Sequence, residues 1–229
     1  MKIIFLNCWE GEVEKSLLDF VESNKENTDI FTFLEASQGI NTKFKSILNN
    51  FVHTESHEKI SEDVWFDISV FVKNKIKNIV FSPNLIKDRS AGNLILVEGA
   101  KFNVLVVHGV HIPTNKLDTL ERISFSKKII RIASKSEKPI IIGGDFNLMP
   151  ETKSIEAFSK NGFINLIKQF RIKSTRNNLA WNFFKDRPGF VKQYFADYCF
   201  VSKDIQVKSF EVPDIEVSDH LPLILEFEV

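Results

Sequence analysis

Residues 64–107 read VWFDISVFVKNKIKNIVFSPNLIKDRSAGNLILVEGAKFNVLVV. Four apolar runs follow one another: VWFDISVFVK, NKIKNIVF, GNLILVEG and KFNVLVV. Turn residues such as Ser82-Pro83-Asn84 and Glu98-Gly99 separate them, and no helix-length pattern lies between. Strands joined by such short connections pair antiparallel, whereas a parallel pair needs a crossover of a dozen residues or more. A doubly wound parallel sheet is therefore disfavoured. Outward from this stretch, helical spacing reappears. Val13, Leu17, Phe20 and Val21 predict a helix over Gly11 to Asn24. Phe44, Ile47, Leu48 and Phe51 predict another over Asn41 to Phe51. Leu120, Ile123, Ile130 and Ala133 mark a third over Leu117 to Ala133, and one or two short helices are expected over Ile155 to Phe170. Further strands are read at Lys2–Leu6, Asp29–Leu34, Pro139–Ile142, Tyr194–Val201 and Leu221–Val229. The expected architecture is α/β (α+β): two packed, mostly antiparallel sheets with helices on their outer faces.

The 229 residues carry no linker, repeat or low-complexity tract, so one domain spanning 1–229 is expected. Thirty Lys+Arg balance thirty Asp+Glu, and 43% of residues are hydrophobic. That composition excludes an intrinsically disordered chain. It also excludes a wholly basic nucleic-acid binder, so phosphate binding must come from a local patch or a metal. Cys8 and Cys199 do not make a disulfide framework, and Cys8 reads as a small apolar filler. The apolar run Ile3–Leu6 is too short for a signal-peptide core or a membrane span. A cytoplasmic monomer is the default expectation. The 22 Phe residues read as core.

The chemistry lies at the strand ends. KIIFLN ends at Asn7, DIFTFLE at Glu35, FNVLVVHGVH at His111, and PIIIGGDFN at Asp145 and Asn147. Asp197 and Asp219-His220 flank two more strands. A charged or amide group at the end of a buried strand must be hydrogen-bonded, paired or metal-bound. One such end is explained by a cap; six suggest a single polar site. In extended chain Asp145 and Asn147 project to one face while Phe146 points to the core. The preceding Gly143-Gly144 allows a tight turn or the close approach of a ligand. A carboxylate beside an amide donor suits water activation next to an oxyanion. Glu35, after an apolar run, is a poor candidate for a solvated charge and a good one for a Mg²⁺ ligand.

FLNCW, TFLEAS, VHGVHIP, GGDFN, ADYCFVS and VSDHLPL resemble, in order and spacing, the motifs of the endonuclease/exonuclease/phosphatase superfamily, the DNase I-like phosphohydrolases. The resemblance covers Lys2 to about Phe227 and implies a four-layer α/β/β/α sandwich. By the same resemblance, Glu35 is the principal Mg²⁺ ligand with Asn7 beside it, and Asp219 is a second, weaker one; Mn²⁺ can substitute. Asp145 orients or deprotonates water, Asn147 donates to a phosphoryl oxygen, and Asp197 holds the imidazole of His220 against the scissile phosphate. His111 resembles a second phosphate-facing histidine, with Asp67 its candidate partner. His108 is read as a strand or supporting residue, and His53 and His57 as solvated. Two departures from the resemblance stand out: Leu34 replaces a glutamine that many relatives have before the metal-binding glutamate, and the common Arg-Ile-Asp-Tyr run reads Phe195-Ala196-Asp197-Tyr198, without the arginine.

Lys168 to Lys192 holds seven basic residues against Asp186, interleaved with Phe170, Trp181, Phe183, Phe184 and Phe190, while Glu10 to Glu35 is net −6. A basic, aromatic-bearing rim suits a polyanion, with Lys173, Arg176, Lys185 and Trp181 as candidate substrate contacts. A solvated loop with aromatics packed beneath explains the same run. The leading expectation is a Mg²⁺-dependent, nuclease-like phosphodiesterase. The alternatives are a phosphomonoesterase or sphingomyelinase-like phospholipase, and an inactive binding module of the same fold.

Overall fold

The computed structural model describes residues 1–57, 67–83, 85, 92–187 and 189–229, and the backbone alone of 59–61 and 64–65. Strand β1 (Lys2–Asn7) passes through a single 3₁₀ turn (Trp9–Gly11) and helix α1 (Glu14–Asn24) into β2 (Ile30–Leu34), which lies parallel to it. Then come α2 (Gln38–Ile47), β3 (Phe51–Ser56), β4 (Lys59–Ser61), β5 (Val64–Trp65), β6 (Ile68–Lys73), β7 (Val80–Pro83) and β8 (Gly92–Glu98). Strand β9 (Asn103–Gly109), helix α3 (Leu120–Ala133) and β10 (Ile140–Asp145) form a second parallel crossover unit. The chain closes with α4 (Lys153–Lys160), β11 (Ile164–Asn165), α5 (Leu166–Gln169), α6 (Leu179–Phe184), β12 (Asp197–Val201), β13 (Gln206–Glu211) and β14 (Leu223–Glu228).

Two six-stranded sheets result, ordered β13-β14-β1-β2-β6-β3 and β11-β12-β10-β9-β8-β7, with β4-β5 a separate pair. Each six-stranded sheet is antiparallel except for its central parallel pair, β1/β2 or β9/β10. The expected sandwich of mostly antiparallel sheets is therefore what the chain builds, and the two parallel pairs are where helices α1 and α3 cross over.

Alternation along the strands explains the layering. Ile3 and Phe5 of β1, with Ile68, Val70 and Val72 of β6, face the core between the sheets. Ile4, Leu6 and Phe71 face outward onto Leu17, Val21, Ile40 and Phe44 of α1 and α2. Phenylalanines fill both outer interfaces. Phe33 stacks on Phe44 at 4.1 Å between ring centroids, and Phe158 stacks on Phe200 at 4.3 Å. Burying one such ring contributes about 1.5–3 kcal/mol.

Some boundaries depart from expectation. The helix over Asn41 to Phe51 ends at Ile47, and Phe51 opens β3. Strands β3 and β13 lie at sheet edges and are half exposed, so their sequences HTES and QVKSFE lack an apolar run. The strand expected from Tyr194 begins at Asp197, and α6 forms within the basic stretch read as loop. Gly143-Gly144 serves packing. A Cβ on Gly143 would strike the Phe5 ring, and one on Gly144, at φ +133°, would strike the Val107 carbonyl.

Candidate active site

Both parallel pairs point their C-terminal ends toward the same edge of the sandwich, the location where open α/β sheets bind ligands. The strands antiparallel to them begin there. In one rung of the second sheet Asp145 pairs with His108 on one side and Asp197 on the other. Residues level with one another on neighbouring strands share a face, so these three side chains project to the same side of the sheet. From the first sheet, Asn7 ends β1 and Glu35 follows β2 directly, while His220 precedes β14.

The polar groups converge. Asn7 Nδ2 donates to Glu35 Oε1 at 2.9 Å and to Asp145 Oδ2 at 3.1 Å. His108 Nε2 lies 3.4 Å from Glu35 Oε1. Asp145 Oδ1 accepts from the Asn147 backbone N–H at 2.8 Å, and Asp145 Oδ2 is 3.8 Å from His220 Nε2. His220 Nδ1 lies 2.8 Å from Asp197 Oδ2. Arg176 completes the cluster: its Nη1 is 2.7 Å from His220 Nε2, and its Nη2 donates to Asp219. The segment carrying Arg176 is woven into the site. Arg176 bridges His220 in antiparallel fashion, and the Thr175 hydroxyl accepts from the backbone N–H groups of Ala196 and Asp197.

Glu35 (φ +50°) and Asn147 (φ +51°), together with Lys116 (φ +57°), which lines the same cleft, hold left-handed backbone conformations. Each costs on the order of 1–3 kcal/mol for a non-glycine residue, and such strain gathers at functional sites. The cleft above them has a volume of about 690 Å³. Trp9, Glu10 and Glu12 line one part of it, and Phe184, Phe190 and Lys192 another. Trp9 packs edge-on to Phe183 and Phe184, with centroids 6.0 and 6.4 Å apart.

Electrostatics set the protonation states. Burial raises the Glu35 carboxyl, but His108, His220 and the Asn7 amide outweigh it and hold the group well below the usual carboxylate range. Asp145 is likewise lowered: His220, Lys116 and His108 overcome its burial. Asp197 is raised by burial, with His220 opposing. His220 is raised: burial and Arg176 lower it, but Asp197 and Asp219 prevail. Burial lowers His111 and pushes Lys116 down to about 8. These shifts have physical causes that differ from site to site, which is the pattern of acid–base machinery.

Of the residues singled out in the sequence, Asn7, Glu35, Asp145, Asn147, Asp197, Asp219, His220, His111 and Arg176 gather at this edge. Several expectations need correction. Asn7 turns its amino group, not its oxygen, toward the carboxylates, because Oδ1 accepts from the Trp9 backbone N–H at 3.0 Å. Asp219 is paired with Arg176 rather than open to a cation. Asp67 meets His57 at 2.9 Å, so it is not placed as the partner of His111, and His57 lies against Asp67 and Glu55 rather than being simply solvated. His108, read as a supporting residue, is 1% exposed and lines the cleft beside His111. Lys173 and Lys185 are exposed and lie outside the cleft lining, while Trp181 lines an adjoining smaller pocket and stacks on Phe190. Lys116, Lys192 and the Trp9 wall were missed. Lys116 sits in a polar loop, where a lysine reads as solvated, and no spacing marks it.

Two carboxylates and one imidazole, those of Glu35, Asp145 and His108, bring ligand atoms within 4.8 Å of one another. The Glu35 side chain remains 30% exposed to the cleft. This donor set fits a divalent cation of the Mg²⁺ or Mn²⁺ kind, the imidazole favouring Mn²⁺. Among the described residues, no helix is long and apolar enough to cross a membrane.

A family model for the Endonuclease/Exonuclease/phosphatase family matches residues 5–220. No curated protein matches the chain. Solved structures share its fold. A mannosyl-6-phosphatase from Bacteroides thetaiotaomicron aligns with TM-score 0.68 at 16% identity, covering 100% of both chains. The human Nocturnin catalytic domain with a bound sulfate anion aligns with TM-score 0.70 at 17% identity, covering 100% of this chain and 94% of that one. D. rerio TDP2 in complex with a single-strand DNA product aligns with TM-score 0.71 at 12% identity, covering 100% of this chain and 99% of that one.

Proposed function

The chain belongs to the endonuclease/exonuclease/phosphatase family, and on that premise we propose that it is a divalent-metal-dependent phosphoester hydrolase acting as a nuclease-like phosphodiesterase. The observation that carries this reading is one cleft in which an ionised, buried Asp145 lies 3.8 Å from the Nε2 of an Asp197-backed His220. Glu35 and His108 would hold the metal, with Asp145 close beside it. When bound, the ion supplies positive charge to the phosphoryl oxygens.

The chain's own groups do the rest. Asp145 accepts the proton of the attacking water; the water oxygen bonds to phosphorus as the ester oxygen leaves. Its lowered pKa keeps it a carboxylate at neutral pH and so able to take that proton. Asn147 donates to a non-bridging oxygen. Arg176 is a donor matched to two phosphoryl oxygens. Arg176 beside Nε2 opposes the charged form of His220, although Asp197 and Asp219 prevail. Once the guanidinium turns to phosphate, Asp197 and Asp219 favour the imidazolium, which adds a second cationic donor. Lys192 and the Trp9–Phe184 wall suit a substrate continuing beyond the scissile phosphate, and the DNA-bound relative supports that choice.

A phosphomonoesterase is the second reading. The buried Lys116 and the half-buried Arg176 suit a dianionic terminal phosphate, and one relative is a sugar phosphatase.

The test is Mg²⁺- or Mn²⁺-dependent hydrolysis of bis-p-nitrophenyl phosphate. D145A and H220A are expected to lose at least about 10³-fold in kcat, given that acid–base and electrostatic terms each carry about 10²–10⁴. Full activity in both variants would remove this assignment. A panel of p-nitrophenyl phosphate, single-stranded and duplex DNA, RNA, inositol phosphates and sphingomyelin then separates diester from monoester substrates.

A further inference from the structure

We infer that Lys116 is a positioning residue that locks the Asn147 amide into its donor orientation, an inference that rests on the reading of Asn147 as a phosphoryl-oxygen donor. Lys116 follows β9 in the polar run His111–Asp118, yet it is 5% exposed and its ammonium donates to Asn147 Oδ1. An ammonium carries donors and no acceptor, so it can face only the oxygen of an amide. The Asn147 Nδ2 is thereby turned the other way, where one hydrogen meets the Gly109 carbonyl at 3.0 Å. Its second hydrogen is left to meet a phosphoryl oxygen. Without Lys116 the amide can flip and present Oδ1, an acceptor, to an anion.

The loop is built to hold this lysine. Lys116 takes a left-handed backbone conformation, and its carbonyl accepts from the Met149 N–H at 2.8 Å. On the far side Arg122 of α3, 1% exposed, clamps the loop. Its guanidinium donates to the carbonyls of Leu117 and Pro113 at 2.6 Å each and of Val110 at 3.3 Å. A buried arginine bound to three carbonyls of one loop fixes that loop's path. Asp145, Asp197 and Glu35 attract the ammonium, and Arg176 repels it.

A double-mutant cycle on the metal-loaded protein tests the coupling, with bis-p-nitrophenyl phosphate as substrate. N147A is expected to lower kcat about 10²-fold, the usual cost of one oxyanion donor. K116M should lower kcat about 10–30-fold while KM moves less than about threefold, because the lysine acts through a donor used in the transition state. K116M/N147A should be no slower than N147A alone, and K116R should recover most of the loss. A double variant that loses the product of the single effects, a K116M enzyme with full kcat, or a K116R enzyme as slow as K116M would each overturn the inference while leaving the Asn147 reading intact. Unchanged kcat in N147A would overturn both. If circular dichroism shows K116M to be unfolded, K116A takes its place in the cycle with the same outcomes.

Discussion

His220 has partners at both ring nitrogens, Asp197 at Nδ1 and Arg176 at Nε2, so its protonation is set by which of them yields when an anion arrives. Lys116 offers the clearer reading against pH. Burial lowers it from the usual lysine value of about 10.5 to about 8, so folding penalises its charged form. Between about pH 8 and 10.5 the unfolded chain keeps a proton that the folded chain has released. Stability from this group therefore rises with pH across that window. Activity should do the opposite, falling above about pH 8 as the ammonium that fixes Asn147 is lost. A rate profile measures this, and K116R should move the alkaline limb upward, since a guanidinium does not titrate there. An unmoved limb would assign the titration to another group. At this scale the sequence revealed Asp145, Asn147 and His220, because a polar residue ending a buried strand needs a partner. It hid Lys116, because a lysine among polar residues carries no mark of burial.

Strand β10 shows what an element contributes. Ile140–Ile142 anchor it, Gly143-Gly144 let it pass beneath the Phe5 ring and beside Val107, and Asp145 emerges level with His108 and Asp197. Gly144→Ala should destabilise the fold by more than about 2 kcal/mol, since it forces both a disfavoured φ and a backbone clash. Urea unfolding reads this directly, and a midpoint equal to that of the parent chain would refute it. The central strands were legible because they are apolar throughout. Edge strands β3 and β13 were not, since half of each is wet and a short alternation of that kind resembles a loop. Helix α6 was hidden for a related reason: its run LAWNFF lies within a basic, aromatic stretch whose composition suits a rim loop equally well.

For the molecule as a whole, charges of both signs line the cleft. Glu10 and Glu12 from the acidic N-terminal stretch line one part, and Arg176 and Lys192 from the basic stretch another. On the nuclease reading, Lys192→Ala should weaken nucleic-acid hydrolysis and reduce the salt slope of binding by about one, while turnover of bis-p-nitrophenyl phosphate stays the same. An unchanged slope would remove Lys192 from the interface. Metal binding should also register globally. At a free ion concentration of about 100 times Kd, binding to the folded state alone adds about 2.7 kcal/mol, which for a domain of this size is about 5–10 °C in Tm. Glu35→Gln should abolish most of that shift in a thermal scan with and without Mn²⁺. A full shift in E35Q would place the ion elsewhere.

The sequence by itself determined that apolar strands dominate, that they pack as two sheets with outer helices, and that Asn7, Glu35, Asp145, Asn147, Asp197 and His220 stand at strand ends. Burial preference and alternation are local properties, and they can be read along the chain. Which way each side chain turns was decided only by the tertiary structure. The Trp9 N–H directs the Asn7 oxygen away from the cluster. Arg176 claims Asp219 from a loop more than forty residues away in sequence. His57 takes Asp67, and Lys116 reaches Asn147 through a clamp built on another helix. Hydrogen bonds compete among all donors and acceptors within reach, and that neighbourhood exists only once the two sheets have closed on each other.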